Sequence, residues 1–231
     1  MEIRVQGSGG TLGWPEAGCR CASCQRARAQ RVSRGPFRVI VGGALLLGDG
    51  PPALVRGGAD AASAYGPLPG DRGPGDQGPG GQGPGDAAEF PGFRVVRLPG
   101  GWDVTGPDGA RVLCAAGPGA SPGVPSGAGR YDAVLLDLLG DPAQLGGLRA
   151  RGLVGGATVA VTLFADHRVR SEAELDRRCR IWRAVLPRDG DTISVPAPAP
   201  ETAAAPGPSP AAGPWPYGPD RPCRVLVLGG A

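Results

Sequence analysis

The sequence predicts an α/β fold broken by long glycine- and proline-rich insertions, and three observations carry that reading. Short alternating or wholly apolar segments of strand length recur at residues 2–6, 38–41, 44–47, 93–98, 102–105 and 110–115. Two further apolar segments, 132–137 and 158–164, enclose a helix-length stretch at 142–151. The 231 residues include 43 glycines and 27 prolines, far above usual usage, so the folded part is shorter than the chain. A hydrophobic content of 41% still suffices for a core, in one large domain or two small ones.

Taken in order, residues 2–6 form a short alternating strand that runs into GSGGTLGWP. Residues 38–41 and 44–47 read as two strands meeting at a Gly42–Gly43 hairpin turn. Residues 66–86, GPLPGDRGPGDQGPGGQGPGD, have too little apolar surface to offset their ordering entropy. They read as a disordered insertion, because strand-like text resumes on both sides. The strands at 93–98, 102–105 and 110–115 follow, with Pro107, Asp108 and Gly109 as a hairpin turn, and then a Gly/Pro/Ser loop at 117–129. After the buried strand at 132–137 comes the helix at 142–151, with Pro142 in its first turn, and then the buried strand at 158–164. Residues 171–186 are the strongest helix. Ser171 caps it, Glu174 completes a capping box, Leu175, Cys179 and Trp182 mark one face, and Pro187 stops it. Residues 196–222 form a semi-stiff Pro/Ala/Gly linker, and Arg224 to Leu228 read as one more buried strand.

Composition excludes several functions. The formal net charge is +3, with no dense basic run interleaved with aromatics, so nucleic acid is not an expected partner. Lysine and asparagine are absent, which points to a GC-rich genome and weakens functional readings of single arginines. The N-terminus lacks a signal-peptide pattern, and apolar runs such as 44–47 and 133–136 are far too short to cross a bilayer. The expectation is a soluble, cytoplasmic chain with no membrane partner, whose six cysteines bind metal or stay reduced.

The most specific local feature is GCRCASC, carrying Cys19, Cys21 and Cys24. This spacing brings three thiolates into one tight loop, and zinc takes three or four such soft ligands in a tetrahedron. The fourth ligand must come from elsewhere. His167, the single histidine, follows a core strand and is one candidate; Cys179, Cys114 and Cys223 are the others, and helical spacing makes Cys179 a packing residue. A site filled by four protein ligands has no open position for water, so the zinc would be structural.

With those residues in view, GSGGTLGWPEAGCRCASCQRAR resembles the N-terminus of metallo-β-lactamase-fold proteins of the pyrroloquinoline-quinone-biosynthesis B and phosphonate-pathway cyclic phosphodiesterase type. The resemblance is sharp over about the first thirty residues. It implies a degenerate αββα sandwich and a structural zinc held by Cys19, Cys21, Cys24 and His167. Active members carry H-x-H-x-D-H and further histidines around two catalytic metals, and this chain has one histidine in total. Asp49, Asp137 and Asp166 stand at expected strand ends, as relics of that site or, more ordinarily, as loop carboxylates and helix caps. No catalytic residue is expected in the chain.

The closing text RVLVLGGA reads as a strand followed by Gly229 and Gly230, the opening of a phosphate-binding loop without its lysine and hydroxyl residue. The zinc loop, YDAVLLDLLGDPAQLGGLRARGLV, DHRVRSEAEL, the linker and this strand, in that order, resemble the N-terminal portion of actinobacterial-type bifunctional adenosylcobinamide kinase/adenosylcobinamide-phosphate guanylyltransferases. That resemblance implies a domain at 1–195, a linker at 196–222, and the first strand of a P-loop kinase domain at 223–231. It implies cobalamin biosynthesis for the parent protein, with GTP or ATP used downstream. The implied partners are the kinase/guanylyltransferase domain and a corrinoid precursor. The competing expectations are a free-standing phosphodiesterase or hydrolase of the same fold, and an interaction module that presents the proline-rich tract.

Overall fold

The computed structural model describes residues 1–48, 50–55 and 87–198. In chain order the elements are β1 (Glu2–Gly7), α1 (Ala22–Ala29), β2 (Arg38–Val41), β3 (Leu45–Gly48), β4 (Ala53–Leu54), β5 (Ala87–Phe90), β6 (Phe93–Leu98), β7 (Gly101–Thr105), β8 (Arg111–Ala115), β9 (Ala133–Leu136), α2 (Ala143–Ala150), β10 (Val159–Thr162), α3 (Glu172–Trp182) and β11 (Thr192–Ser194). The first sheet runs β11-β1-β2-β3-β4 and the second β10-β9-β8-β7-β6-β5. The first is antiparallel throughout. In the second, β5 to β8 form an antiparallel meander, and β8, β9 and β10 are parallel.

The side-chain pattern dictates the layering. In β1, Ile3 and Val5 are buried and alternate with exposed Glu2 and Arg4, as a one-sided strand requires. All of β9 is buried, because both of its faces are covered. Ala133 and Leu135 point between the sheets, where they meet Ile3, Val5, Val39, Leu47, Val112 and Val161. Val134 and Leu136 point outward and pack with Leu113, Ala160 and the α2 residues Leu145 and Leu148. Burying one such side chain contributes about 1.5–3 kcal/mol, so this two-faced burial is the main stabilising term. In a third cluster, Leu175 and Cys179 of α3 meet Ala165 and Val169. A fourth joins Cys24 and Ala27 of α1 to Trp14.

The two sheets meet at one end through the backbone. Past β1, Gly10 donates from its N–H to the Ala165 carbonyl at 3.0 Å, and the Ala165 N–H reaches the Ser8 carbonyl at 3.1 Å. Gly9 of GSGG is needed where this segment packs against the chain entering β2 and its own following turn. A Cβ on Gly9 would stand 2.8 Å from the Gly35 carbonyl oxygen and 2.9 Å from the Gly13 Cα.

Most of the expected elements are present, with shifts that have local causes. The β2–β3 turn uses Gly42 and Gly43 at positive φ, as anticipated, but Ala44 belongs to the turn, because Val41 pairs with Leu45. Pro142 is the N-cap of α2 and makes no side-chain cap; Asp141 instead accepts from the Ala143 N–H at 3.0 Å. α3 ends at Trp182, before Pro187, because Arg183 turns left-handed (φ 53°) and Val185 then pairs beside β10. The cysteine segment is not all loop. Cys21 is the N-cap of α1 and Cys24 lies in its first turn. β4, β5 and β11 were not expected. The insertion at 66–86, Asp49, the linker beyond 198, Cys223, the strand from Arg224, and Gly229 and Gly230 lie outside the described residues. Among the described residues no helix is long and apolar enough to cross a membrane.

Candidate metal centre

The chain from Trp14 to α1 has few apolar side chains and is fixed by hydrogen bonds. Buried Trp14 donates from Nε1 to Ser23 Oγ at 3.1 Å, and that hydroxyl donates to the Val169 carbonyl. Arg26 donates to the Arg170 carbonyl at 2.6 Å. α1 is therefore fastened to residues 169–170, just past His167. Arg28 holds the cysteine loop from the other side, donating to the carbonyls of Cys19 at 2.7 Å and Glu16 at 2.6 Å.

This docking brings Cys19, Cys24 and His167 together, with one ligand atom of each within 4.8 Å of the others. Cys24 is fully buried, Cys19 half-buried and His167 exposed. Cys21 lies outside that tight group. Its exposed sulfur accepts from the Cys24 N–H at 3.4 Å. The thiols are tuned in opposite directions. Burial pushes Cys24 up to about 11. The Cys24 N–H, followed by the neighbouring thiols of Cys19 and Cys24, outweighs desolvation and lowers Cys21. His167 Nδ1 stands 3.6 Å from the Glu16 carboxylate.

The donor set fits zinc. Thiolates and an imidazole are its preferred ligands, and in a tetrahedral shell with Zn–S of about 2.3 Å neighbouring ligand atoms stand about 3.5–3.8 Å apart. The observed spread of up to 4.8 Å is about 1 Å wider than that. Of the other sequence candidates, Cys114 is enclosed between the sheets, where burial raises its pKa, and Cys179 packs in the α3 cluster with its thiol pushed up to about 11, burial being the main cause.

A second polar constellation lies at the carboxyl ends of the parallel strands. Asp137, one residue past β9, is fully buried, so it is not a solvated loop carboxylate. It accepts from the N–H groups of Gly119 at 2.7 Å and Gly140 at 2.9 Å, and from Arg168 at 3.0 and 3.2 Å. Arg168 also bonds Asp166 through Nε at 2.9 Å. Burial works against the Arg168 charge, but the two carboxylates outweigh it and raise its pKa. The sequence pointed to Asp137 and Asp166 but not to Arg168, Glu16 or Ser23, because their roles depend on contacts between distant segments.

Two facing sheets of mixed α/β type, with α2 on the outer face of the second, are consistent with a metallo-β-lactamase-like sandwich. The particular likeness is to zinc-bound PqqB from Methylobacterium extorquens, a metallo-β-lactamase-fold protein. Its crystal structure superposes with a TM-score of 0.50 at 15% identity, over 84% of this chain and 100% of that one. No family model matches this chain, and no curated protein sequence matches it either.

Proposed function

We propose that the described domain is a zinc-stabilised, non-catalytic accessory domain, the N-terminal portion of a bifunctional adenosylcobinamide kinase/adenosylcobinamide-phosphate guanylyltransferase. One observation carries the non-catalytic reading: the chain's one histidine lies beside Cys19 and Cys24, which leaves no imidazole for a hydrolytic metal pair. The proposed zinc ligands are Cys19, Cys21, Cys24 and His167. Bound there, zinc would supply a cross-link between the cysteine segment and the chain past β10, in a region with few apolar contacts. Around it, Trp14, Ser23 and Arg26 dock α1, and Arg28 fixes the loop carbonyls.

The cobalamin assignment is supported by the order of sequence segments and by the match of LVLGGA to the opening of the kinase loop, G-G-x-R-S-G-K-S. On this reading the nucleotide-dependent steps belong to the downstream domain, and a corrinoid precursor is the ligand to test on the domain described here. The assignment is checked by reading the coding DNA past Ala231. An in-frame R-S-G-K-S supports it, and a stop codon with no such continuation overturns it. The non-catalytic reading is checked separately by offering the purified chain a chromogenic phosphodiester with zinc, manganese or iron. We expect no turnover, and metal-dependent turnover would instead favour a phosphodiesterase or hydrolase of the same fold.

A further inference from the structure

We propose that Arg168 is the resident cation of the sandwich edge, neutralising Asp137 and Asp166 and closing that carboxylate pair to metal ions. The proposal deepens the non-catalytic reading above and rests on it only for its functional meaning; none of its contacts involves a cysteine. Asp137, one residue past β9, and Asp166, in the chain after β10, are the carboxylates at this edge that offer oxygen ligands. Arg168 projects from the chain just past Asp166 and meets both.

An ionised carboxylate has about four lone-pair sites. Gly140 donates to Asp137 Oδ1 and Gly119 to Oδ2, and one Arg168 nitrogen, Nη2, stands against both oxygens at 3.2 and 3.0 Å as a shared bond. A metal ion could reach these oxygens only by displacing the guanidinium. Asp166 is engaged in turn, by the Arg168 N–H at 2.8 Å and by Arg168 Nε at 2.9 Å. The space is shaped to the guanidinium. A Cβ on Gly140 would stand 2.5 Å from Asp137 Oδ2 and 2.7 Å from Arg168 Nη1, so a side chain there would displace one or the other. Because Gly119 comes from the loop before β9, the arrangement ties that loop, the end of β9 and the chain past β10 into one closed edge.

The physics of a buried ion pair supplies the test. Asp137 is fully buried while the Arg168 side chain is 32% exposed, so removing Arg168 strands a buried carboxylate. Arg168→Met in the full chain should lower the melting temperature by several degrees. Millimolar Mn2+ should restore at least half of the loss, with one Mn2+ per chain bound by electron paramagnetic resonance. The wild type should show neither the shift nor the binding. Asp137→Asn combined with Arg168→Met should lose the Mn2+ response, while its amide can accept only one of the Gly119 and Gly140 N–H bonds and so leaves part of the stability loss in place. Should Arg168→Met fail to fold, Arg168→Lys, which keeps the cation, decides: a folded chain that binds no Mn2+ supports the proposal, and Mn2+ binding by a folded Arg168→Lys or its failure to fold overturns it. The proposal is also overturned if Arg168→Met is as stable as wild type and no more responsive to Mn2+, or if wild type binds Mn2+ through Asp137. Phosphodiester turnover by wild type with Asp137 closed to Mn2+ would sink the non-catalytic reading and leave the Arg168 assignment standing.

Discussion

Glu16 lies 3.6 Å from His167 Nδ1, and this placement makes an unremarked residue testable. At this distance no hydrogen bond is made; closing to one when a metal binds would fix the tautomer that leaves the other nitrogen free, and loss of such an outer partner typically costs about 10–100-fold in affinity. Glu16→Gln should therefore weaken zinc binding by about 10–100-fold, read by competition against a chromophoric chelator. An unchanged Kd, with wild type binding zinc, would remove Glu16 from the centre. At this scale the sequence was informative where chemistry sits in adjacent residues. The C-x-C-x-x-C spacing singled out Cys19, Cys21 and Cys24. It could not show that Cys24 is buried and helical while Cys21 is exposed, because that follows from how α1 docks. Arg168 was illegible for the same reason: among 24 arginines, nothing local marks the one that reaches Asp137.

α3 shows what local signals decide. Ser171 Oγ accepts from the Glu174 N–H at 3.2 Å, as the capping pattern predicts. Glu174 reaches back one residue further than in the usual box, accepting from the Arg170 N–H at 3.0 Å. Ser171→Ala should cost about 1 kcal/mol in chemical denaturation; a loss within error would contradict the capping role. The Arg170 N–H first, and then the Arg178 charge, hold the Glu174 carboxyl below its ordinary value despite some desolvation. A depressed folded-state pKa contributes stability that is present above the unfolded value and is lost as pH falls through the folded one. Glu174→Gln should therefore flatten the part of the acid-unfolding curve lying below the ordinary carboxylate range, and an unchanged curve would contradict this. β4, β5 and β11 carried no such signal. They span two, four and three residues and exist because a neighbour offers an edge: β11 pairs with β1, and β5 with β6. α1 escaped notice because only Ser23, Cys24 and Ala27 are buried in it, which is too little for a periodic apolar stripe.

For the molecule as a whole, the strand–helix–strand text from 132 to 164 was decisive, since it forms the parallel part of the second sheet with α2 across its outer face. The assignment of strands to two sheets was not legible in the residues, because it depends on pairings such as β1 with β11, almost the full described chain apart. At the junction of the sheets a buried arginine does what local sequence cannot foretell. Arg34 donates to Glu172 at 2.7 Å, to Ser8 Oγ at 2.9 Å and to the Pro187 carbonyl at 2.6 Å, tying β1, α3 and the chain before β11 together. Hydrogen bonds from Ser23 and Arg26 fasten α1 to residues 169–170, so a metal at the neighbouring cysteines would stabilise the domain. The most direct test is a metal count on the purified chain, coupled to melting with and without a chelator. The account predicts one zinc per chain, a melting temperature that falls when zinc is stripped, and no zinc in a Cys19→Ser, Cys24→Ser double variant. Two or more metals per chain, or a zinc-free chain that melts at the same temperature, would contradict it.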